Sequence, residues 1–150
     1  ELAAKDSGIE IVRGGTYLVM EGPQFSSVAE SELYRSWNCD VIGMTNMPEA
    51  KLAREAEMCY ATVAMVTDYD CWHPDHDNVT VDAIIKVLLV NADNARSLIK
   101  NVASAIDADT HGLNCSCKTS LDNAIITTPE ERDKNMLDKL SVVAGRVLNQ

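Results

Sequence analysis

The hydrophobic pattern is centred on residues 60–66, an almost wholly apolar run in which Thr62 is the one polar side chain. Such a run without alternation is typical of a strand that is buried on both faces. It leads into two carboxylates, Asp68 and Asp70. Side chains two apart on an extended chain point the same way, so both could face one cavity at the carboxyl end of a sheet. The segment alone leaves equally open that both are ordinary loop or capping residues.

Strand patterns also occur earlier in the chain. Residues 9–13 and 16–20 favour extended structure, with a bend at Gly14 and Gly15, and residues 40–45 predict a second buried strand.

Helix patterns separate these strands. Ser27, with Glu30 three residues later, forms a possible capping box, and we expect the helix to run to about Trp37 with Ala29 and Leu33 also on its inner face. A second helix, capped by Asn46 with Pro48 in its first turn, is expected to reach about Glu57.

The alternation of strand and helix predicts an α/β fold with a mixed, largely parallel sheet flanked by helices, as one domain over residues 1–150. Residues 2–5 are good helix formers followed by Gly8, which is typical of the last turns of a helix. We therefore expect the sheet to be incomplete at its N-terminal side.

The C-terminal half is predicted to be mainly helical. A long helix is expected from about residue 81 to 105, a short helical stretch over 120–126, and a last helix from Pro129 to about Leu148. The apolar stripe of the long helix is Ile84, Leu88, Ala92, Ala95 and Ile99.

The composition of the chain excludes some classes of binding partner. The net charge of −10 argues against nucleic acid and against an anionic membrane surface. No apolar run approaches the ~20 residues of a membrane helix. Five scattered cysteines, an odd number, do not form a secreted disulfide framework, so we expect a cytoplasmic protein.

We predict no metal site. Residues 73–77 contain two histidines and two aspartates, but a solvated turn explains them better, and His111 stands alone beside a glycine. Cys115 and Cys117 are too closely spaced for the usual zinc pattern. They could close a small, strained disulfide or remain two free thiols.

Three segments together resemble the 5′-methylthioadenosine phosphorylases of the purine nucleoside phosphorylase family. They are EGPQFSS at residues 21–27, DVIGMT at 40–45 and TDYDCW at 67–72. The resemblance implies a phosphorylase/hydrolase-like fold and a pentosyltransferase that forms adenine and 5-methylthioribose 1-phosphate. It implies no cofactor, because phosphate is the co-substrate.

The resemblance also implies roles for the motif residues. Asp68 would serve the ring nitrogen that is protonated as the base leaves, and Asp70 would accept from the exocyclic amino group. A carboxylic acid with a raised pKa could donate that proton. Phe25 would contact the base, Met44 the ribose and Thr45 the phosphate.

Further substrate contacts are implied around these motifs. Gly43 and Thr67 would line the substrate site. Val81 falls where relatives that act on other nucleosides often carry a histidine, so Val81, Ile84 and Ile85 would suit a methylthio group. Without the resemblance, helix packing would be the preferred interpretation of Val81.

The same resemblance implies an oligomer, usually a trimer, with sites near subunit interfaces. The family's N-terminal half, which supplies most phosphate ligands, has no counterpart here, so a separate N-terminal chain is a possible partner. Val28 also departs from the arginine that is common at this position. The rival interpretations are a phosphorylase of another purine nucleoside and a noncatalytic purine-binding module.

Overall fold

The computed structural model describes residues 1–73, 81–106 and 115–149. The chain divides into two units, each continuous in space but not in sequence. The first contains the described residues of 1–44 and 63–106, and the second those of 45–62 and 115–149.

A parallel β–α–β arrangement forms the centre of the first unit. Strand β1 (Tyr17–Val19) pairs in parallel with β2 (Val41–Gly43), and Leu18 lies opposite Ile42. Helix α2 (Val28–Ser36) makes the crossover that two adjacent parallel strands require. The predicted α/β class and the strands within 16–20 and 40–45 are therefore confirmed, whereas residues 9–13 form no strand.

Helix α2 begins as predicted but exposes a different face. Ser27 and Glu30 form the reciprocal capping box, in which the Ser27 N–H donates to Glu30 Oε2 over 2.7 Å. The predicted inner residues Leu33 and Trp37 are 47% and 57% exposed, and Ser31 is 2% exposed instead. The predicted inner face was wrong because a buried polar contact of Ser31, described below, decides which side of the helix faces inward.

Two helices pack together in the same unit. In α1 (Leu2–Asp6), Ala3 and Ala4 are buried, and α1 packs on the long helix α4 (Val81–Ala105). The Asn101 side-chain amide donates to Ser7 Oγ over 2.8 Å and ties the two helices together. The long helix is confirmed, although Leu88 and Ile99 of its predicted stripe are exposed, at 48% and 67%.

Residues 60–66 do not form the predicted strand. Among the described residues, none of their backbone groups bonds to another backbone group, and Val63 and Val66 are 56% and 57% exposed. A strand buried on both faces needs hydrogen-bonding neighbours and cover on each side. The two-stranded sheet supplies neither to this run, so its composition alone could not make it a strand.

The second unit is helical. It contains α3 (Asn46–Glu55), the 3₁₀ turns Ser116–Thr119 and Pro129–Glu131, and α5 (Lys134–Leu148). The last predicted helix thus begins later than Pro129, at Lys134, and the side chain of its N-cap Asp133 accepts from the Met136 N–H over 2.9 Å. The helical stretch predicted over 120–126 is a series of turns.

Asn46 does not cap α3 as predicted. Its side-chain oxygen instead accepts from the Tyr60 hydroxyl at 2.8 Å and from Thr62 Oγ1 at 2.7 Å. Thr45 occupies the N-cap position without a side-chain capping bond. The Asn46 amide therefore links the start of α3 to the chain that follows the helix.

An ion-pair network holds α5 against the end of α3. The Arg146 guanidinium donates to both carboxylate oxygens of Glu57 and also to Asp122 Oδ1 at 2.6 Å. The hydrogen bonds that Arg146 donates to Glu57 lower the pKa of Glu57 below its usual range, and the Leu121 N–H makes a smaller contribution in the same direction.

All five cysteines are free thiols, so the free-thiol alternative for Cys115 and Cys117 is the one found. The Cys117 N–H and the thiols of Cys117 and Cys59 donate toward Cys115 and lower its pKa. The same contact with Cys115 raises the pKa of Cys59 to about 11.

Some predictions fall outside the described residues. These are the loop interpretation of residues 74–77, the helix cap that the sequence predicts at Asn78 or Thr80, and the surface turn expected around His111. Within the described parts of the chain, no helix is both long and apolar enough to cross a membrane.

The capping box predicts a stability effect. Ser27→Ala removes the acceptor for the Glu30 N–H and should destabilise the protein by about 1 kcal/mol in urea unfolding. Ser97→Ala, at an exposed interior position of α4, is the matched control and should change stability by only a few tenths of a kcal/mol. Equal effects of the two substitutions would contradict the capping role.

The Glu57–Arg146 contact predicts a pH dependence. Since the pKa of Glu57 is depressed in the folded state, its contribution is present above its ordinary value of 4.5 and is lost as the pH falls through the lowered pKa. Glu57→Gln should therefore be less stable than the wild type at pH 7, with the gap closing in strong acid. Urea midpoints of both proteins across this range measure the gap, and a pH-independent gap would contradict the assignment.

Candidate functional site

A cleft with a volume of about 410 Å³ opens in the first unit beside the β1–α2–β2 arrangement. That volume lies within the range of small-molecule sites. Its lining comes from the two strands with the residues beside them, from residues 20–26, from α2, and from residues 64–72. Its lining includes six of the residues singled out by the sequence, namely Phe25, Gly43, Met44, Thr67, Asp68 and Asp70.

Asp70 is the more firmly held of the two carboxylates. Its Oδ2 accepts a hydrogen bond from Ser31 Oγ on α2, and its Oδ1 accepts from the Cys71 N–H over 2.9 Å. Ser31 is almost fully buried and Asp70 is half-buried. Two donors on different oxygens fix the carboxylate plane and leave further lone pairs available.

Asp68 is held differently. Its Oδ2 accepts from the hydroxyl of the preceding Thr67 at 2.6 Å, and the side chain is exposed. The two carboxylates thus line one cleft, although the strand expected to align them is absent. A loop anchored at Asp70 brings them there instead.

Apolar side chains complete the cleft. Phe25 is 85% exposed, so its ring is not packed in the core of this unit. Gly43 lets the Tyr17 side chain pack closely, because a Cβ at this position would overlap the Tyr17 hydroxyl unless the side chain moved. The ring of Tyr17 therefore covers the end of β2, next to Met44.

Negative charge dominates the cleft lining. Asp40, Asp68 and Asp70 line it, and Asp40 Oδ2 accepts from the Thr16 N–H at 2.6 Å. Among the lining side chains, Arg35 is the one Lys or Arg, and its guanidinium lies 3.6 Å above the Trp72 ring. The arrangement suits a neutral, hydrogen-bonding aromatic ligand better than a free anion.

The remaining predicted site residues are not among the described residues that line this cleft. Ile84 is half-buried and Ile85 is 47% exposed on α4, and neither lines the cleft. Val81 is the first residue of α4, and its side chain lies outside the described part of the structure. Thr45 belongs to the second unit, where its side chain makes no capping bond.

Sequence reasoning assigned no role to Ser31, which positions Asp70, or to Arg35, which covers Trp72. Ser31 lies beside the first motif on a helix that was correctly predicted. The sequence signal for a buried role of Ser31 was its position near apolar residues of the helix. Only the fold shows that its hydrogen-bond partner is Asp70, 39 residues later.

Comparison with protein families gives a match over residues 1–104 to the model described as the phosphorylase superfamily. Two curated relatives are each named S-methyl-5′-thioadenosine phosphorylase. The one from Rhodospirillum rubrum is 64% identical over 95% of this chain and 49% of its own length. The one from Bradyrhizobium diazoefficiens is 60% identical over 97% of this chain and 50% of its own.

Solved structures give the same relationship. A methylthioadenosine phosphorylase from an Antarctic soil metagenomic library superposes with a TM-score of 0.83 and 42% identity over 95% of this chain and 50% of its own. The Schistosoma mansoni methylthioadenosine phosphorylase in complex with adenine gives a TM-score of 0.64 at 27% identity, over 79% of this chain and 49% of its own.

The chain thus spans about half the length of the relatives that it matches. The family match covers both strands and the whole acidic cleft, and the relatives match nearly the entire chain. On the strength of this agreement in sequence and fold, the chain belongs to the phosphorylase superfamily.

Proposed function

We propose that this chain provides the base- and ribose-binding part of a 5′-methylthioadenosine phosphorylase. The proposed reaction is the attack of phosphate on the anomeric carbon, which gives adenine and 5-methylthioribose 1-phosphate without a cofactor. The observation that carries the proposal is the pair of differently held carboxylates, Asp68 and Asp70, in one cleft.

The two carboxylates suit two different tasks. Asp70 has both oxygens held by donors, which is what a fixed hydrogen-bond acceptor for the exocyclic amino group needs. Asp68 is exposed, and within the described part of the chain Thr67 donates to its Oδ2, so Asp68 can present its other oxygen to a ring nitrogen. Protonated Asp68 would act as the general acid for the departing base.

The proposed proton transfer neutralises the negative charge that develops on the purine. As the bond between sugar and base breaks, the ribose becomes oxocarbenium-like and electrons move into the purine. The proton of Asp68 would pass to the purine ring nitrogen, so that neutral adenine leaves while phosphate bonds to the sugar carbon. Phe25, exposed at the cleft, offers a ring for stacking on the base. Gly43, Met44 and Thr67 would contact the nucleoside.

Phosphate recognition is less complete within this unit. Arg35, the one Lys or Arg among the lining residues, is already placed over Trp72. Thr45 remains the proposed phosphate contact of this chain, and Val81, Ile84 and Ile85 the proposed contacts of the methylthio group. The further phosphate ligands would come from outside the described residues or from a separate N-terminal chain.

This shortage of cations favours a second candidate function, a noncatalytic purine-binding module. Such a module would use Asp68 and Asp70 only to read the base. Adenine binding without phosphate-dependent turnover would favour it. Faster turnover of inosine or adenosine would instead favour a phosphorylase of another purine nucleoside.

We also propose a homotrimer in the cytoplasm that acts in purine and methionine salvage. The exposed apolar residues Leu89 and Ile99 on α4, at 63% and 67%, are consistent with burial in a larger assembly. An odd number of scattered, free cysteines suits a reducing compartment. The size of the assembly in solution tests the trimer.

The general-acid role predicts that Asp68→Asn lowers the rate of adenine release from methylthioadenosine about 100-fold or more, because the amide cannot supply the proton. Adenine release with and without phosphate measures the rate. Asp93→Asn, an exposed α4 substitution beside Arg96, is the matched control and should leave the rate unchanged. An unaltered rate in Asp68→Asn would remove Asp68 from the mechanism.

The acceptor role of Asp70 predicts a change in base preference. Wild-type Asp70 would repel the 6-carbonyl of 5′-methylthioinosine, whereas the amide of Asp70→Asn can donate to it. The ratio of kcat/KM for methylthioadenosine over methylthioinosine should fall at least about 10-fold. If both values drop equally, Asp70 has no part in distinguishing the bases.

A further inference from the structure

Three cysteines that are distant in sequence meet in the second unit. The Sγ atoms of Cys59, Cys115 and Cys117 all lie within 4.8 Å of one another. Cys59 is exposed, and Cys115 and Cys117 are half-buried. The proposed phosphorylase chemistry uses none of them.

The Cys59 side of the cluster is set by the end of α3. Glu57 adopts a φ of 55°, and the Met58 N–H donates to the Ala53 carbonyl over 2.9 Å, which closes the helix. Cys59 follows directly. Its position therefore depends on a hydrogen-bonded helix end rather than on a free loop.

The Cys115–Cys117 side is fastened to the same helix end. Ser120 Oγ donates to the Arg54 carbonyl over 2.7 Å, and the Leu121 N–H donates to Glu57 Oε1 over 3.2 Å. The 3₁₀ turn Ser116–Thr119 lies between Cys115 and these contacts. Both sides of the cluster are thus joined by hydrogen bonds that do not involve the thiols.

We propose that Cys59, Cys115 and Cys117 form a binding site for a thiophilic metal cation of the Zn²⁺ class. Thiolates are the preferred ligands of such cations. With a Zn–S distance of about 2.3 Å, two sulfurs of a tetrahedral site lie about 3.8 Å apart, so the observed spacing needs only a small contraction. Because Cys59 is exposed, water or another donor could supply the fourth ligand.

The site depends on the tertiary structure. Cys115 and Cys117 alone are too close in sequence for the usual zinc pattern, and Cys59 lies more than fifty residues earlier. The positive charge of Arg54 acts on Cys115 and would offset the negative charge of a three-thiolate site. A bound cation would also cross-link the end of α3 to the turn at Ser116–Thr119.

Metal titration tests the proposal on the reduced full chain. When the protein competes with a chromophoric chelator for Zn²⁺, it should bind one ion per chain. Cys59→Ser should weaken the binding at least about 100-fold, since even the loss of a residue behind a ligand weakens metal sites 10- to 100-fold. Cys39→Ser, in the first unit, is the matched control and should bind as the wild type does. Equal affinity of the Cys59→Ser and wild-type chains would overturn the proposal.

A second measurement needs no variant and so does not depend on how a variant folds. Zn²⁺ should protect Cys59, Cys115 and Cys117 from alkylation and leave Cys39 and Cys71 reactive, as mapped by mass spectrometry. Protection of other cysteines, or of none, would overturn the site. A native disulfide between Cys115 and Cys117, together with no Zn²⁺ binding after reduction, would assign the cluster to thiol redox chemistry instead.

Discussion

The first unit depends on the hydrogen bond from Ser31 to Asp70. It joins the crossover helix α2 to a loop 39 residues later, and Ser31 is almost fully buried. A hydrogen bond to a charged group contributes about 1.5–3 kcal/mol, and a buried hydroxyl left without its partner is costly. This contact therefore decides which face of α2 turns inward and where the acidic loop lies. The Cys71 thiol, 3.3 Å from Ser31 Oγ, adds a second contact at the same place.

The cleft follows from that contact. Strands β1 and β2 supply one wall, and the loop held at Asp70 supplies the other. Asp68 lies in the same cleft as Asp70, and among the described residues the Thr67 hydroxyl is the group that supports it. Asp70 is a fixed acceptor, whereas Asp68 is exposed. Such a difference in environment allows two neighbouring carboxylates to take different roles.

The second unit is organised by Glu57. Its carboxylate accepts from Arg146 on α5 and from the Leu121 backbone, and its backbone turns the chain at the end of α3. The same turn leads to Cys59. The ion pair and the thiol cluster therefore share one support, and a metal bound to the cysteines would reinforce contacts that the protein already makes.

Features with local causes could be predicted from the order of the residues alone. The capping box at Ser27, the length of α4 and the parallel alternation of strand and helix follow from residue spacing and propensity, and the motifs identified the family. The apolar run at 60–66 shows where such prediction fails: it forms no strand, because a buried strand needs neighbouring elements that its own composition cannot provide. Three contacts depend on the folded chain: Ser31 faces inward, Asn46 bonds to Tyr60, and Cys59 lies beside Cys115 and Cys117. Each of these contacts joins residues that are distant in sequence, and such pairings leave no periodic signal in the chain.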